Sequence, residues 1–261
     1  MKIRRIYGVI LRSLYSSVHS LDKTVDAFYW PMIDLFLWGL TGTYFITTSD
    51  SSSPILEWIV TAIVLWTVIY RAQYEISGNL LEELWSRNLV NLFVSPLKFS
   101  EWLAGFLFVS IIKSAASLAF ASFLAFVFYQ VSILTFGWRL LGYAGILLMT
   151  GWWLGLFVTG IILRYGTRIQ AIAWTIVWVI APFAAVYYPV SILPEWGQHV
   201  SSLIPITYVF EDMRAVIQTG NGNNANFLYG LFLNGFYLIL AYVFIQRSFR
   251  KVIERGLVKV Y

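Results

Sequence analysis

Charged residues are scarce in this chain. Asp, Glu, Lys and Arg make up 12% of its 261 residues, whereas a soluble domain carries about 25%. Hydrophobic residues make up 59%, and the mean hydropathy is +0.72. This balance excludes an ordinary soluble domain and predicts an all-α integral membrane protein, since helices satisfy their own backbone groups in lipid.

Cysteine is absent, which excludes disulfides, thiolate metal sites and cysteine nucleophiles. No P-loop, His-Glu-x-x-His zinc motif or Gly-x-Ser-x-Gly elbow occurs. The acidic pairs Glu82-Glu83 and Glu211-Asp212 are adjacent doublets and are not spaced to hold a metal–diphosphate pair. We therefore expect no catalytic residue, no metal site and no cofactor in this chain, and an intramembrane enzyme is the weakest alternative.

Six apolar segments are present, and about 20 such residues cross a bilayer. We predict six transmembrane helices, with Trp30-Pro31 opening the first and a polar turn at 47–54 closing it. The predicted spans are residues 28–46, 55–76, 102–129, 139–163, 169–188 and 227–246.

Lys and Arg collect on one side of this six-span arrangement. Five lie in residues 1–28, three in 71–101, two in 164–168 and five after residue 246, out of 18. The positive-inside rule then predicts that both termini are cytoplasmic. Because topology explains the net charge of +5, we expect no nucleic-acid partner.

Residues 3–21 alternate apolar and basic positions at helical spacing. This pattern predicts that residues 1–27 form an amphipathic helix in the membrane interface, with its cations among lipid headgroups. The alternative is a surface helix packed on the protein's own loops.

Two further segments carry recognisable patterns. The cytoplasmic segment NLLEELWSRNLVNLFVSPLKFSEWLAG (79–105) is an acidic helix followed by a leucine-rich run and Ser95-Pro96-Leu97. The segment LPEWGQHVSSLIPITYVFEDMRAVI (193–217) follows the fifth span. With the basic N-terminal helix, they resemble the permease subunit of type 2 ABC exporters. Ile204 and Ile206 depart from that family's usual Asn and Leu. The matching residues of the second segment include Pro194, Trp196, Pro205, Tyr208, Glu211 and Arg214.

The resemblance implies a membrane subunit that pairs with a separate ABC ATPase, which binds ATP and Mg. It implies a coupling helix at 79–91, with Glu82, Glu83 and Arg87 as its ATPase contacts, and re-entrant helices at 192–219 near the outer face. It also implies a homodimer, or a dimer with a close paralogue, among lipids in the inner (plasma) membrane of a bacterium. Residues 79–91 alone would equally suit a solvated loop helix, and 192–219 an ordinary external loop.

Ionisable and aromatic residues inside the spans give further candidates. Asp34 and Lys113 lie at similar depth, which motivates an ion pair between them; alternatively, Lys113 extends to the interface and Asp34 takes a backbone or hydroxyl partner. Four aromatic residues are candidate pore-lining groups, although interface or packing roles also explain them: Trp174, Trp178, Tyr187 and Tyr188.

The exported substrate stays open between a lipid-linked glycan and an amphipathic small molecule or drug. A stand-alone carrier driven by an ion gradient is the main alternative function, although the two halves of the chain show no convincing repeat of the kind such carriers have. A non-transporting membrane scaffold is a third reading.

Overall fold

The computed structural model of the protein describes residues 2–48 and 54–255, and no strand occurs among them. The predicted turn at 47–54 lies partly outside these ranges. Lys259, one of the basic residues counted after residue 246, lies wholly outside them. In chain order the α-helices are α1 Ile3–Val18, α2 Leu21–Thr48, α3 Ile55–Trp85, α4 Leu89–Val94, α5 Phe99–Tyr129, α6 Arg139–Tyr165, α7 Ile172–Ile180, α8 Glu195–Ser202, α9 Pro205–Thr219 and α10 Asn224–Arg255.

Four helical segments are long and apolar enough to cross a membrane. They are α3, α5, α6 with the short 3-10 turn that extends it to Ile169, and α10 up to Glu254. Each has 31 residues, or about 46 Å at 1.5 Å per residue. That exceeds the ~30 Å hydrocarbon layer, so their ends extend beyond it. The predicted apolar helices at 55–76, 102–129, 139–163 and 227–246 are confirmed.

The predicted first and fifth spans differ from the structure. α2 has 28 residues, so Pro31 lies in its interior rather than at its start. It is long enough to cross a membrane but less apolar, because Asp34 and several Thr and Gly residues interrupt it. The predicted fifth span, 169–188, contains only α7 and a 3-10 turn to Phe183. This unit measures about 18 Å and ends beside Pro182, which lacks a backbone donor.

α3 forms the centre of the bundle and packs against α2, α5, α6 and α7. It is buried on all sides over its middle turns, as an all-round apolar helix should be. α6 approaches it closely at Gly151 and Gly155, where an added Cβ would lie 2.8 Å from the Ile69 carbonyl oxygen and 3.0 Å from that of Gln73. Gly151 and Gly155, four residues apart on one face, therefore allow close helix packing inside one chain.

The two described ends of the chain meet at the same end of the bundle. Arg5 of α1 pairs with Glu101 in the first turn of α5 at 3.3 Å. Beside it, the ring of Phe99 stacks on Phe249 near the end of α10, with centroids 4.1 Å apart. This is also the end at which most of the described Lys and Arg residues lie.

Candidate functional site

A cavity of about 520 Å³ lies between α2, α3 and α7. The lining from each of these helices includes two large side chains spaced four residues apart, which places both on one helical face. We call this cavity the aromatic chamber, defined by the lining residues Trp30, Asp34, Trp66, Tyr70, Trp174 and Trp178. These six residues provide five large rings and the carboxylate of Asp34; Asp26 and Arg71 also line the cavity at its edge.

The aromatic candidates separate into two groups. Trp174 and Trp178 line the chamber, each with its ring centroid 6.2 Å from that of a tryptophan of α3. Tyr187 and Tyr188 do not line it. Tyr187 stacks on Trp38 at 4.5 Å, and Tyr188 donates to the Pro182 carbonyl. Sequence reasoning overlooked the α2 and α3 rings, although their spacing of four from another chamber residue is readable in the chain.

A second cavity of about 650 Å³ lies beside the chamber, between the start of α2, the last turns of α3 and the middle of α5. We call it the polar vestibule; its charged lining includes Lys23, Glu82 and Lys113. Asp26 and Arg71 line both cavities. The two cavities therefore adjoin at these two residues.

Four charged side chains connect in series at this boundary. The Arg71 guanidinium lies 3.3 Å from the Asp26 carboxylate and 3.7 Å from that of Glu75. Glu75 in turn accepts from Lys113 at 2.7 Å. The side chains of Arg71 and Glu75 are each 3% exposed. Their opposite charges neutralise each other inside the protein, where an unpaired charge would be strongly destabilising.

The predicted pair between Asp34 and Lys113 is therefore wrong. Lys113 reaches Glu75 of α3, and within residues 2–48 and 54–255 no ion pair or hydrogen bond is formed by the side chain of Asp34. The sequence places both residues at a similar depth, but it does not reveal that Glu75 lies on the face of α3 that meets α5.

The predicted coupling helix at 79–91 is not one helix. Its first half is the end of α3, which stops at Trp85; Arg87 adopts a left-handed conformation with φ 53°, and α4 begins at Leu89. The helix stops because the Asn88 amide donates to the Glu83 carbonyl, and the Asn88 side chain donates to the Glu83 carboxylate at 2.7 Å. A bend replaces the continuous helix.

The acidic residues of this segment bind the cations of the N-terminal helices. Glu83 pairs with Arg12 of α1 at 2.8 Å, and Glu82 with Lys23 of α2 at 2.7 Å. Glu83 is 5% exposed, so it serves the chain's own packing. Arg87 is exposed, and its side chain has no partner in the described part of the chain. We call the two ion pairs, Glu83 with Arg12 and Glu82 with Lys23, the charged junction.

α1 is amphipathic, as predicted, but it ends at Val18 rather than residue 21, and α2 begins at Leu21. Its inner face packs on α5, where Val9 lies against Gly105. Much of its apolar stripe is exposed, including Ile3 at 83% and Tyr7 at 58%. Such a surface is typical of a helix lying in a membrane interface.

The far end of the bundle contains the short helices α8 and α9. Glu211 accepts from the Val190 amide at 3.0 Å and from Arg214 at 3.1 Å. Arg214 also donates to the carbonyls of Ala185 and Val186, so it holds the loop that leaves α7. The sequence pattern places Glu211 and Arg214 correctly in one region, and the structure brings them together.

The other motif residues shape the same region. Pro194 precedes α8, and Pro205 is buried at the start of α9. Tyr208 donates to the Ser202 carbonyl at 2.8 Å, and Trp196 packs edge-on against Phe183. Sequence reasoning missed Asp212, which is buried and accepts from Tyr143 at 2.6 Å and Arg139 at 3.1 Å.

No family model matches this chain, and no curated protein is significantly similar to it.

Proposed function

We propose that this chain is the membrane-spanning permease subunit of an ATP-driven exporter of the type 2 ABC class. Two copies associate, and a separate ATPase binds and hydrolyses ATP with Mg²⁺. The adjoining vestibule and chamber carry this proposal, because they form a path from the basic end of the bundle into an aromatic interior. The basic end is cytoplasmic under the positive-inside rule.

The helix order supports the proposal. In the proposed permease, α2 and α7 join the four long apolar helices, which makes six membrane helices. α7 is short, and the 192–219 region, with α8 and α9, dips into the outer half of the membrane. Non-helical backbone at that depth must be buried in protein, and the bonds from Arg214 to the loop after α7 meet this requirement.

The opening of the chamber supports the dimer. Trp30 is 47% exposed and Trp178 is 44% exposed, so one side of the chamber lacks a wall in the single chain. In the proposed homodimer the second copy closes that side across the symmetry axis. Substrate then enters from the vestibule and leaves when the outer ends of α2 and α7 separate.

The bend at Arg87 supports the coupling role. It lies at the end of α3, the central helix, which lines both cavities. A push on the bend is therefore transmitted along one rigid helix. We keep Glu82 and Arg87 as ATPase contacts, because the Glu82 side chain is 39% exposed and Arg87 is exposed, whereas Glu83 is buried against Arg12.

One observation favours the second candidate, an ion-coupled carrier. The series Asp26–Arg71–Glu75–Lys113 places ionisable groups at the boundary between two cavities, and such groups inside membrane helices mark ion or proton pathways. A carrier of this kind would purify without an ATPase.

Affinity purification from source membranes in several mild detergents, followed by mass spectrometry, tests the proposal. We expect a stoichiometric P-loop ATPase with the wild-type chain. Arg87→Glu should abolish its recovery, whereas Arg168→Glu should not. Arg168 is a matched control because it is also exposed but lies in the turn between α6 and α7. A wild-type chain that purifies alone in every detergent would favour the carrier.

A further inference from the structure

We infer that the aromatic chamber binds an organic cation with an apolar body. The observation is one unpaired carboxylate, Asp34, among the rings of three helices. This inference names the substrate class of the proposed exporter and depends on that proposal for the direction of transport, but not for binding.

The charge balance of the chamber selects a cation. Its charged lining residues are Asp26, Asp34 and Arg71. Arg71 is held between Asp26 and Glu75, and its second terminal nitrogen donates to the Asp26 carbonyl at 3.1 Å. Its charge is thus matched within the protein. The charge of Asp34 remains unmatched, and a carboxylate in a mostly apolar site is stabilised by a cationic partner.

The rings select the chemical type of cation. Trp is the best cation–π partner, and cages of aromatic rings recognise alkylated ammonium groups. The six side chains that define the chamber come from three separate helices, so they form a concave site, open on one side, rather than a flat face. A compact hydrated metal ion would gain little from such rings, whereas a bulky, weakly hydrated cation gains from both the rings and Asp34.

Size and polarity agree with a drug-sized ligand. The volume of about 520 Å³ lies within the range of roughly 300–1,000 Å³ usual for ligand pockets. Lipid-linked glycans carry anionic phosphates, so the charge of Asp34 argues against that substrate.

Equilibrium binding to the purified full chain in phosphatidylcholine nanodiscs tests this inference. The probes are tetraphenylphosphonium and tetraphenylborate, which share a shape and differ in charge, with empty nanodiscs subtracted. We expect saturable binding of the cation that is not matched by the anion. Equal binding of both ions, or stronger saturable binding of the anion, would overturn the inference without requiring any variant to fold.

Variants then assign the site. Asp34→Asn should weaken tetraphenylphosphonium binding about tenfold, or about 1.4 kcal/mol, and Asp34→Glu should retain it. Trp178→Leu should weaken it about three- to tenfold, as the loss of a cation–π contact does. Glu195→Gln is the control, since Glu195 lies exposed at the start of α8 and lines neither cavity. If Asp34→Asn binds as the wild type does, the site is elsewhere. No ATPase takes part, so this result is independent of the purification test.

Discussion

Lys113 of α5 and Glu75 of α3 form an ion pair across two neighbouring helices, with 2.7 Å between Nζ and Oε2. The lysine is 18% exposed and the glutamate 3% exposed, so the pair lies at the inner edge of the polar vestibule. It joins the central helix to the helix that carries the charged first turn at Glu101.

A double-mutant cycle on this pair should show coupling. We expect Lys113→Met and Glu75→Gln to be non-additive by about 1–2 kcal/mol, the range for residues in one ionic network. SDS titration of the purified protein in mixed micelles measures the free energy of unfolding. The parallel cycle of Lys113→Met with Asp34→Asn should be additive. Coupling in the second cycle and additivity in the first would restore the pair between Asp34 and Lys113.

The contact between α6 and α3 should tolerate no side chain at Gly151. A Cβ there would lie 2.5 Å from that of Ala72 and 2.8 Å from the backbone oxygen of Ile69. Gly151→Val should therefore reduce stability by at least the ~1–3 kcal/mol typical of overpacking. Gly145→Val makes the same change on the same helix, where nothing lies within 4 Å. Equal losses of thermal stability in the two variants would show that helix propensity, not the contact, is responsible.

Long apolar helices were the part of this fold that the sequence could predict. α3, α5, α6 and α10 each contain a long apolar stretch with at most two charged residues, and such a stretch has few alternatives in lipid. The α2 and α7 regions were harder, because local chemistry decides where those helices begin and stop. The helix break at Asn88 depends on a side-chain bond to Glu83, which an amphipathic pattern does not reveal.

The sequence indicated some of the residues at the site, but not which residues of neighbouring helices they contact. The sequence marked Trp174 and Trp178 as candidate pore-lining residues on one helical face, and the structure places both beside the aromatic chamber. It could not show which face of α3 they would meet, so Trp66 and Tyr70 were missed. Ion pairs between helices depend on helix rotation and register. For this reason similar depth suggested Asp34 as the partner of Lys113, whereas in the structure Lys113 pairs with Glu75.

The loop after α7 should depend on the shape of Arg214 as well as on its charge. One terminal nitrogen contacts Glu211, and the other contacts the carbonyls of Ala185 and Val186. A lysine cannot reproduce this planar fork. We expect Arg214→Lys to reduce stability by about 2–3 kcal/mol, as for lost hydrogen bonds of a charged group. Arg87→Lys should change the unfolding free energy little, because Arg87 is exposed. Equal losses of unfolding free energy in Arg214→Lys and Arg87→Lys would contradict the role assigned to the two terminal nitrogens of Arg214.

The docking of α1 on α5 can be tested directly, because the chain has no cysteine and an introduced pair reports only on itself. A Cβ on Gly105 would lie 2.8 Å from that of Val9, and a small shift brings the two to the ~3.8 Å of a disulfide. Val9→Cys with Gly105→Cys should therefore lose reactivity toward maleimide-PEG after mild oxidation in membranes. Gly8→Cys with Gly105→Cys should keep both thiols, since the Cβ position of Gly8 has no neighbour within 4 Å.

The two outcomes of this oxidation separate two roles for α1. A bond between positions 9 and 105 means that α1 is fixed to the bundle while its exposed apolar stripe contacts lipid. Movement of α1 then acts on Glu83 through Arg12, close to the bend at Arg87. Persistently free thiols in the 9/105 pair would mean that α1 lies away from α5. The ion pair between Arg12 and Glu83 would then be broken, and Glu83 would be available to a partner.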